Sequence, residues 1–237
     1  MIDAQELARR ISNINKAICN SSLKSDRNPD DVTLIAVSKY YPLELISMAI
    51  EAGVRDFGES YVKEGLEKIQ TLVGHESFQC VRWHLLGHLQ KNKAKKAVGV
   101  FDYIHSVDSV ELAEIIDNEA QKLGKIQKVL IQPKLSDEDT KTGIDLDLIA
   151  EFTARIADME NVQLVGFMAI PPNFDNSEST RPYFQRLRTI RDEAIGRGHT
   201  SAVHLSMGMS DDYRVAIEEG ATMVRVGSAL FGPRQSN

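Results

Sequence analysis

The sequence predicts an α/β protein, a single-domain (β/α)8 TIM barrel with one extra helix at its N-terminus. Three observations carry this. Short, β-branched apolar runs alternate with longer amphipathic stretches along the whole chain. The alternation repeats eight times with no second block, and strict alternation means parallel strands with helices outside. The 237 residues match the length that eight such units need. The competing architecture, an open doubly wound sheet, usually carries a G-x-G-x-x-G turn after its first strand, and none follows here. One domain is expected across residues 1–237, long enough to bury a sizeable core.

The elements follow in order. In "MIDAQELARRISNINKAI", Ile2, Leu7, Ile11, Ile14 and Ile18 recur at helical spacing. This extra helix either caps the bottom of the barrel or packs outside it. The first strand is expected over 32–39, "VTLIAVSK", with Pro42 starting a helix that Gly53 stops. "VRDFGES" is the second strand and "YVKEGLEKIQTLV" its helix; "RWHLLG" and "KNKAKKAVG" make the third unit. "YIHSV" is the fourth strand, and its helix has Asp108 or Ser109 as N-cap and Gly124 as stop. "KVLIQPKL" is the fifth strand; the polar loop "SDEDTKTGID" leads to "LDLIAEFTARIA". "VQLVGFMAI" precedes the loop "PPNFDNSEST" and a helix from Arg181. "AVHLSMG" and "TMVRVG" are the last strands, followed by "DDYRVAIEEG", with Ser210 as its N-cap, and the turn "SALFG".

Composition excludes several classes. With 42% apolar and 26% charged residues the chain is a globular protein. A net charge of −6 gives no footprint for nucleic acid. The one basic cluster, Lys91, Lys93, Lys95 and Lys96, reads as a solvated helix face. Cys19 and Cys80 lack disulfide or metal spacing. No signal-peptide core is present and no run approaches the roughly 18 apolar residues of a membrane span. The expectation is a cytoplasmic protein.

In a barrel of this kind chemistry sits at the C-terminal strand ends. Those ends carry Ser38 and Lys39, Glu59 and Ser60, His84, His105, Gln132 and Lys134, Met168, Ser206, and then Arg225, Gly227 and Ser228. Strand side chains alternate, so Lys39 shares a face with Val37 and Ile35. If that face is inward, the ammonium enters the barrel mouth. Desolvation and a nearby cation both depress a lysine pKa, and a free amine condenses with carbonyl compounds. The glycine-bearing turns "SMGMS" and "VGSALFG" follow the last two strands, where backbone N–H groups can approach an anion. Arg225 lies two residues before the second turn. It stays protonated, so any ring nitrogen it contacts must be an acceptor. An amine, a phosphate cradle and a donor to an unprotonated ring nitrogen together describe a site for pyridoxal 5′-phosphate.

The same residues carry a resemblance. Through "AVSK", "FGESYVKEG", "WHLLGHLQKNK", "SVDS", "LSMGMSDD" and "MVRVGSALFG", the sequence resembles the pyridoxal-phosphate homeostasis proteins, also called the proline-synthase co-transcribed family. The resemblance implies an alanine-racemase-like barrel with Lys39 as the Schiff-base lysine. It implies Ser206, Gly227 and Ser228 at the phosphate, Arg225 at the pyridine nitrogen, and His84, Met168 and Met207 close to the ring. Ser60 stands where the family usually has asparagine. Pro133 stands near a position where asparagine is common; it removes a ladder donor, so a bulge or rim position is expected.

The implied role is to hold and carry pyridoxal phosphate in the intracellular balance of vitamin B6 and amino acids, without established turnover. Apo forms of enzymes that use the cofactor are the implied recipients, and a monomer without nucleic-acid or membrane partners is expected. The alternative is a fold-type III amino-acid racemase. Racemisation needs a base on each face of the substrate. The related racemases take the opposite tyrosine from a second domain, and this chain runs ten residues past Gly227, so that domain is expected to be absent. A third reading is a phosphate-ligand barrel without a Schiff base. Tyr40 and Tyr41 are expected to pack or hydrogen-bond locally, and Glu59 to serve as a salt-bridge partner. Asp211 and Asp212 read as helix N-terminal charges. His84 and His88 stand four residues apart, but a strand-to-loop break is expected between them, so no helical i, i+4 face forms a metal pair. Lys141 is a weak candidate for an approach to an entering anion.

Overall fold

The structure, a computed structural model, describes residues 2–72, 78–136 and 142–233. The strands β1 (Thr33–Val37), β2 (Asp56–Glu59), β3 (Arg82–Leu85), β4 (Tyr103–Val107), β5 (Gln127–Ile131), β6 (Val162–Met168), β7 (His204–Ser206) and β8 (Met223–Val226) form a closed barrel in sequence order. All neighbours are parallel, and β1 pairs with both β2 and β8. Preceding them is α1 (Ala4–Lys24). The helices α2 (Leu43–Glu51), α3 (Val62–Leu72), α4 (Lys91–Ala97), α5 (Val110–Leu123), α6 (Ile149–Ala157), α7 (Arg181–Gly196), α8 (Tyr213–Glu218) and α9 (Ser228–Phe231) follow β1 to β8 in turn.

Strand parity divides the apolar residues into two layers. Ile35, Leu130, Val165, Met168 and Met223 meet inside the barrel, with Leu86 above them. Ala36, Phe57, Leu85, Ile104, Phe167, Leu205 and Val224 face outward and pack under the helices. The outer layer is the larger, because each helix brings one apolar stripe to it.

Helix α1 packs outside the barrel, against α2, α8 and α9, through Leu7, Ile11, Ile14 and Ile18. It therefore braces the seam where β8 closes on β1. Asp3 caps it by accepting the Glu6 N–H at 2.8 Å. Ser109, not Asp108, caps α5 by accepting the Leu112 N–H. Gly124 ends that helix in the left-handed region, at φ 62°.

Several strands are shorter than the sequence suggests. β1 ends at Val37, so Lys39 lies in the turn beyond it. β5 ends at Ile131, and Pro133 sits past it in an isolated bridge to Ile144. Proline has no N–H for the ladder, so a rim position is where it can be accommodated. Ser210 does not cap α8. That place belongs to Asp212, whose carboxylate accepts the Met209 N–H at 2.6 Å.

Candidate functional site

A cavity of about 960 Å³ opens at the C-terminal ends of the strands. Lys39 enters it from the turn after β1, Ser60 after β2, Leu86 and Gly87 after β3, Ile170 after β6, and Ser210 and Ser228 after β7 and β8. Arg225 lines it from within β8. Lys39 is half-buried, on the same face as Val37, which also lines the cavity, and Ile35. The turn after β1 thus brings the Lys39 side chain to the mouth of the barrel.

Arg225 is 4% exposed. Its Nη1 donates to the Ser206 carbonyl at 2.5 Å and to Ser206 Oγ at 2.9 Å, and its Nη2 to the Ala169 carbonyl at 2.8 Å. Its Nε has no hydrogen-bond partner among the described residues. Burial pushes Arg225 down to about 10, and the Asp212 carboxylate opposes that fall. The guanidinium is therefore charged at neutral pH, fixed by three bonds, and able to donate into the cavity.

Behind Arg225 a chain of polar side chains crosses the barrel. Ser206 Oγ lies 2.9 Å from His105 Nδ1; His105 Nε2 lies 2.9 Å from His84 Nδ1; His84 Nε2 lies 3.0 Å from Asp56 Oδ1. Arg82 closes the far end with a bidentate pair to Asp56. Desolvation holds both imidazoles below their ordinary value, His105 well below it. Neutral imidazoles order the chain one way: Ser206 donates to His105, His105 to His84, and His84 to Asp56. Burial alone would raise the Asp56 carboxyl, but hydrogen bonds from His84 and Arg82 bring it below its ordinary range.

The turns after β7 and β8 meet at two serines. Ser228 Oγ donates to Ser210 Oγ at 3.1 Å, and the Ala229 N–H reaches the same oxygen at 3.3 Å. Gly208 allows the first turn. Its φ is 89°, and a Cβ there would lie 2.6 Å from Ala216 Cβ. Its carbonyl accepts the Arg225 N–H at 3.0 Å, tying this turn to β8.

The structure brings together Lys39, Ser60, Arg225 and Ser228 in the cavity lining; Gly227, the residue before Ser228 and the N-cap of α9, is not in that lining. It does not bring all the expected residues to the cavity lining. The Ser206 hydroxyl is engaged by Arg225 and His105, so Ser210, which the sequence suggests only as a helix cap, takes the lining position. His84 and Met168 lie deeper inside the barrel and are buried. Met207 packs in the outer layer under the helices, because Ser206 beside it points inward.

Of the basic cluster, Lys91 and Lys95 are exposed, while Lys93 and Lys96 border the cavity as well. Lys141 lies outside the described residues. Glu59 pairs with Lys68 at 2.8 Å, as a structural partner should. Tyr41 donates to the Gly232 carbonyl and packs on Phe231, and the Tyr40 and Tyr61 hydroxyls meet at 2.7 Å. His88 pairs with Asp108, while His84 is bound to Asp56 and His105. Lys68 and Glu64 are a pair that sequence reasoning missed; their i, i+4 spacing on α3 was the available signal.

The family model described as "Alanine racemase, N-terminal domain" matches residues 2–235. A pyridoxal phosphate homeostasis protein of Aquifex aeolicus (strain VF5) is 38% identical over 226 residues, 95% of this chain and 97% of the relative. The protein of that name from Escherichia coli (strain K12) is 35% identical, covering 97% of each chain. The chain belongs to the pyridoxal phosphate homeostasis protein family. Among solved structures, PipY of Synechococcus elongatus PCC7942, described with PLP bound, shares 41% identity with a TM-score of 0.82, covering 95% of this chain and 100% of PipY. An alanine racemase of Clostridium difficile 630, 19% identical with a TM-score of 0.71, covers 95% of this chain and 57% of its own, and shares the fold. Members of the family thus match this chain over nearly their whole length.

Proposed function

We propose that this chain binds pyridoxal 5′-phosphate in the cavity at the C-terminal strand ends and holds it through a Schiff-base linkage to Lys39. The observation that carries the reading is the seating in one cavity of Lys39, from the turn after β1, and Arg225, from the adjacent strand β8, in a chain of this family. When bound, the cofactor supplies an aldehyde that an amine can capture with loss of one water. The chain's own residues do the rest. Lys39 presents the amine. Arg225 donates toward the pyridine nitrogen and, as a guanidinium, keeps that nitrogen an acceptor. Ser228, Ser210 and the Ala229 N–H offer donors to the phosphate, with Gly227 leaving room behind them. Ser206 acts through Arg225 rather than on the phosphate. His84 and Met168 form the floor beneath, and Ser60 borders the ring side of the cavity.

The role we infer is a holder and carrier of the cofactor in vitamin B6 and amino-acid balance. It works as one domain and as a monomer, passing its cargo to apo-enzymes. The relatives' name and the PLP-bound PipY support it. The alanine racemase fold keeps a second reading in view, proton exchange at Cα of an amino acid.

Borohydride reduction followed by peptide mass analysis tests the first reading. A pyridoxyl group is expected on the peptide bearing Lys39 and is lost in Lys39→Ala. A protein that takes up no cofactor, or fixes it elsewhere, ends the proposal. Cα–H exchange that depends on Lys39 would favour the racemase reading over the carrier.

A further inference from the structure

Lys39 is flanked by two peptide groups that α3 grips. The Tyr41 N–H closes a turn onto the Ser38 carbonyl at 3.0 Å. Within that turn Tyr40 sits at φ 68°, a left-handed conformation that a tyrosine seldom adopts. On one side of Lys39, the Lys68 ammonium donates to the Ser38 carbonyl at 2.7 Å. On the other, Glu64 Oε1 accepts the Tyr40 N–H at 2.6 Å. Lys68 also donates to Glu64 at 2.7 Å and to Glu59 at 2.8 Å, so its three N–H groups have three acceptors. The Ser38 hydroxyl donates to the same Glu59 oxygen at 2.7 Å.

Resting on the reading above, we propose that Glu64, Lys68 and Glu59 are positioning residues for the Lys39 amine. The clamp fixes the backbone on both sides of the lysine and leaves the side chain directed into the cavity. Its chemistry is more than packing would require. The side chains of Lys68 and Glu59 are 9% and 0% exposed, and Glu59 Oε2 is buried without a hydrogen-bond partner among the described residues. A buried ion pair is seldom the most stable filling for such a space, whereas it does fix direction. An amine that must meet an aldehyde at bonding distance gains from that fixed direction, since displacement by about 1 Å is enough to slow a reaction a hundredfold.

Two variants of Glu64 decide the matter. Glu64 is partly exposed, and its loss leaves the Lys68–Glu59 pair in place. In Glu64→Ala, the Tyr40 amide should exchange with deuterium faster than in wild type. The rate at which pyridoxal 5′-phosphate becomes fixed on Lys39, read by borohydride trapping and peptide mass, should fall about tenfold. Glu64→Gln keeps an oxygen for the Tyr40 N–H and should restore both protection and most of the rate. Lys68→Met should resemble Glu64→Ala if it folds. Wild-type trapping rates in Glu64→Ala, with Tyr40 exchange accelerated, overturn the proposal. So does a Tyr40 amide that is unprotected in wild type, whether or not cofactor binds. A wild type that fixes nothing on Lys39 overturns the cofactor reading instead.

Discussion

Gly87 shows how closely the rim is packed at the level of single residues. A Cβ there would lie 2.2 Å from the Ser60 carbonyl oxygen, a backbone atom that cannot swing aside. Gly87→Ala should therefore cost about 1–3 kcal/mol and push Ser60 into the cavity. A lower melting temperature with weakened cofactor uptake is the expected pair of results; unchanged uptake would mean that Ser60 is not at the ligand. The buried histidines make a second prediction. His84 and His105 stay neutral in the folded chain because desolvation depresses their pKa. Once unfolded, they take up protons near pH 6.5. Their contribution to stability is thus complete above about pH 6.5 and is lost as the pH falls below it. Denaturant unfolding at about pH 7.5 and about pH 5.5 should show that loss, and His105→Gln should reduce it. At this scale, the cavity positions of Lys39 and Arg225 were legible in the sequence. The first was legible from its spacing to Val37 and Ile35, although the turn after β1 rather than the ladder carries it there. The second was legible as a charge on β8 two residues before a glycine turn. The Met207 assignment contradicts strand alternation, since Ser206 and its neighbour cannot both point inward. The choice between Ser206 and Ser210 was not legible, because the hydroxyl partners of Ser206 come from β4 and β8.

At the level of elements, the strand–helix alternation gave every strand of the barrel, because each strand is a short apolar run and each helix carries an apolar stripe. Strand ends were less legible. β1, β3 and β7 each stop before their apolar or small-residue run does, and β5 stops at Ile131, short of the expected Leu135. The place of α1 was left open by its sequence, which reports one apolar face but not what covers it. In the structure that face covers the β8–β1 seam. Ile14, 4% exposed, is part of it. Ile14→Ala should destabilise the fold by about 2–5 kcal/mol, and a fall in the unfolding midpoint checks this. Because α1 touches α9, which begins at Ser228, the same variant should loosen cofactor binding; an unchanged affinity would separate the brace from the site.

For the molecule as a whole, ligand binding and stability are linked. If the cavity takes pyridoxal 5′-phosphate only when the barrel is closed, ligand at a hundred times its dissociation constant adds about 2.7 kcal/mol. A clear rise in melting temperature is expected for wild type, with a smaller one for Lys39→Ala, where the proposed covalent link cannot form. Among the described residues no helix is long and apolar enough to cross a membrane. The pairing of β1 with β8 has one more consequence. Lys39 is encoded near the start of the chain and Arg225, which lines the same cavity, near the end, so a ribosome releases the first long before the second exists. Joining the two strands is a contact of long sequence separation, the kind that forms late and slowly. Capture of the vitamin should therefore report completed synthesis: a nascent chain halted before Met223 would carry its lysine but have no place to keep the cargo.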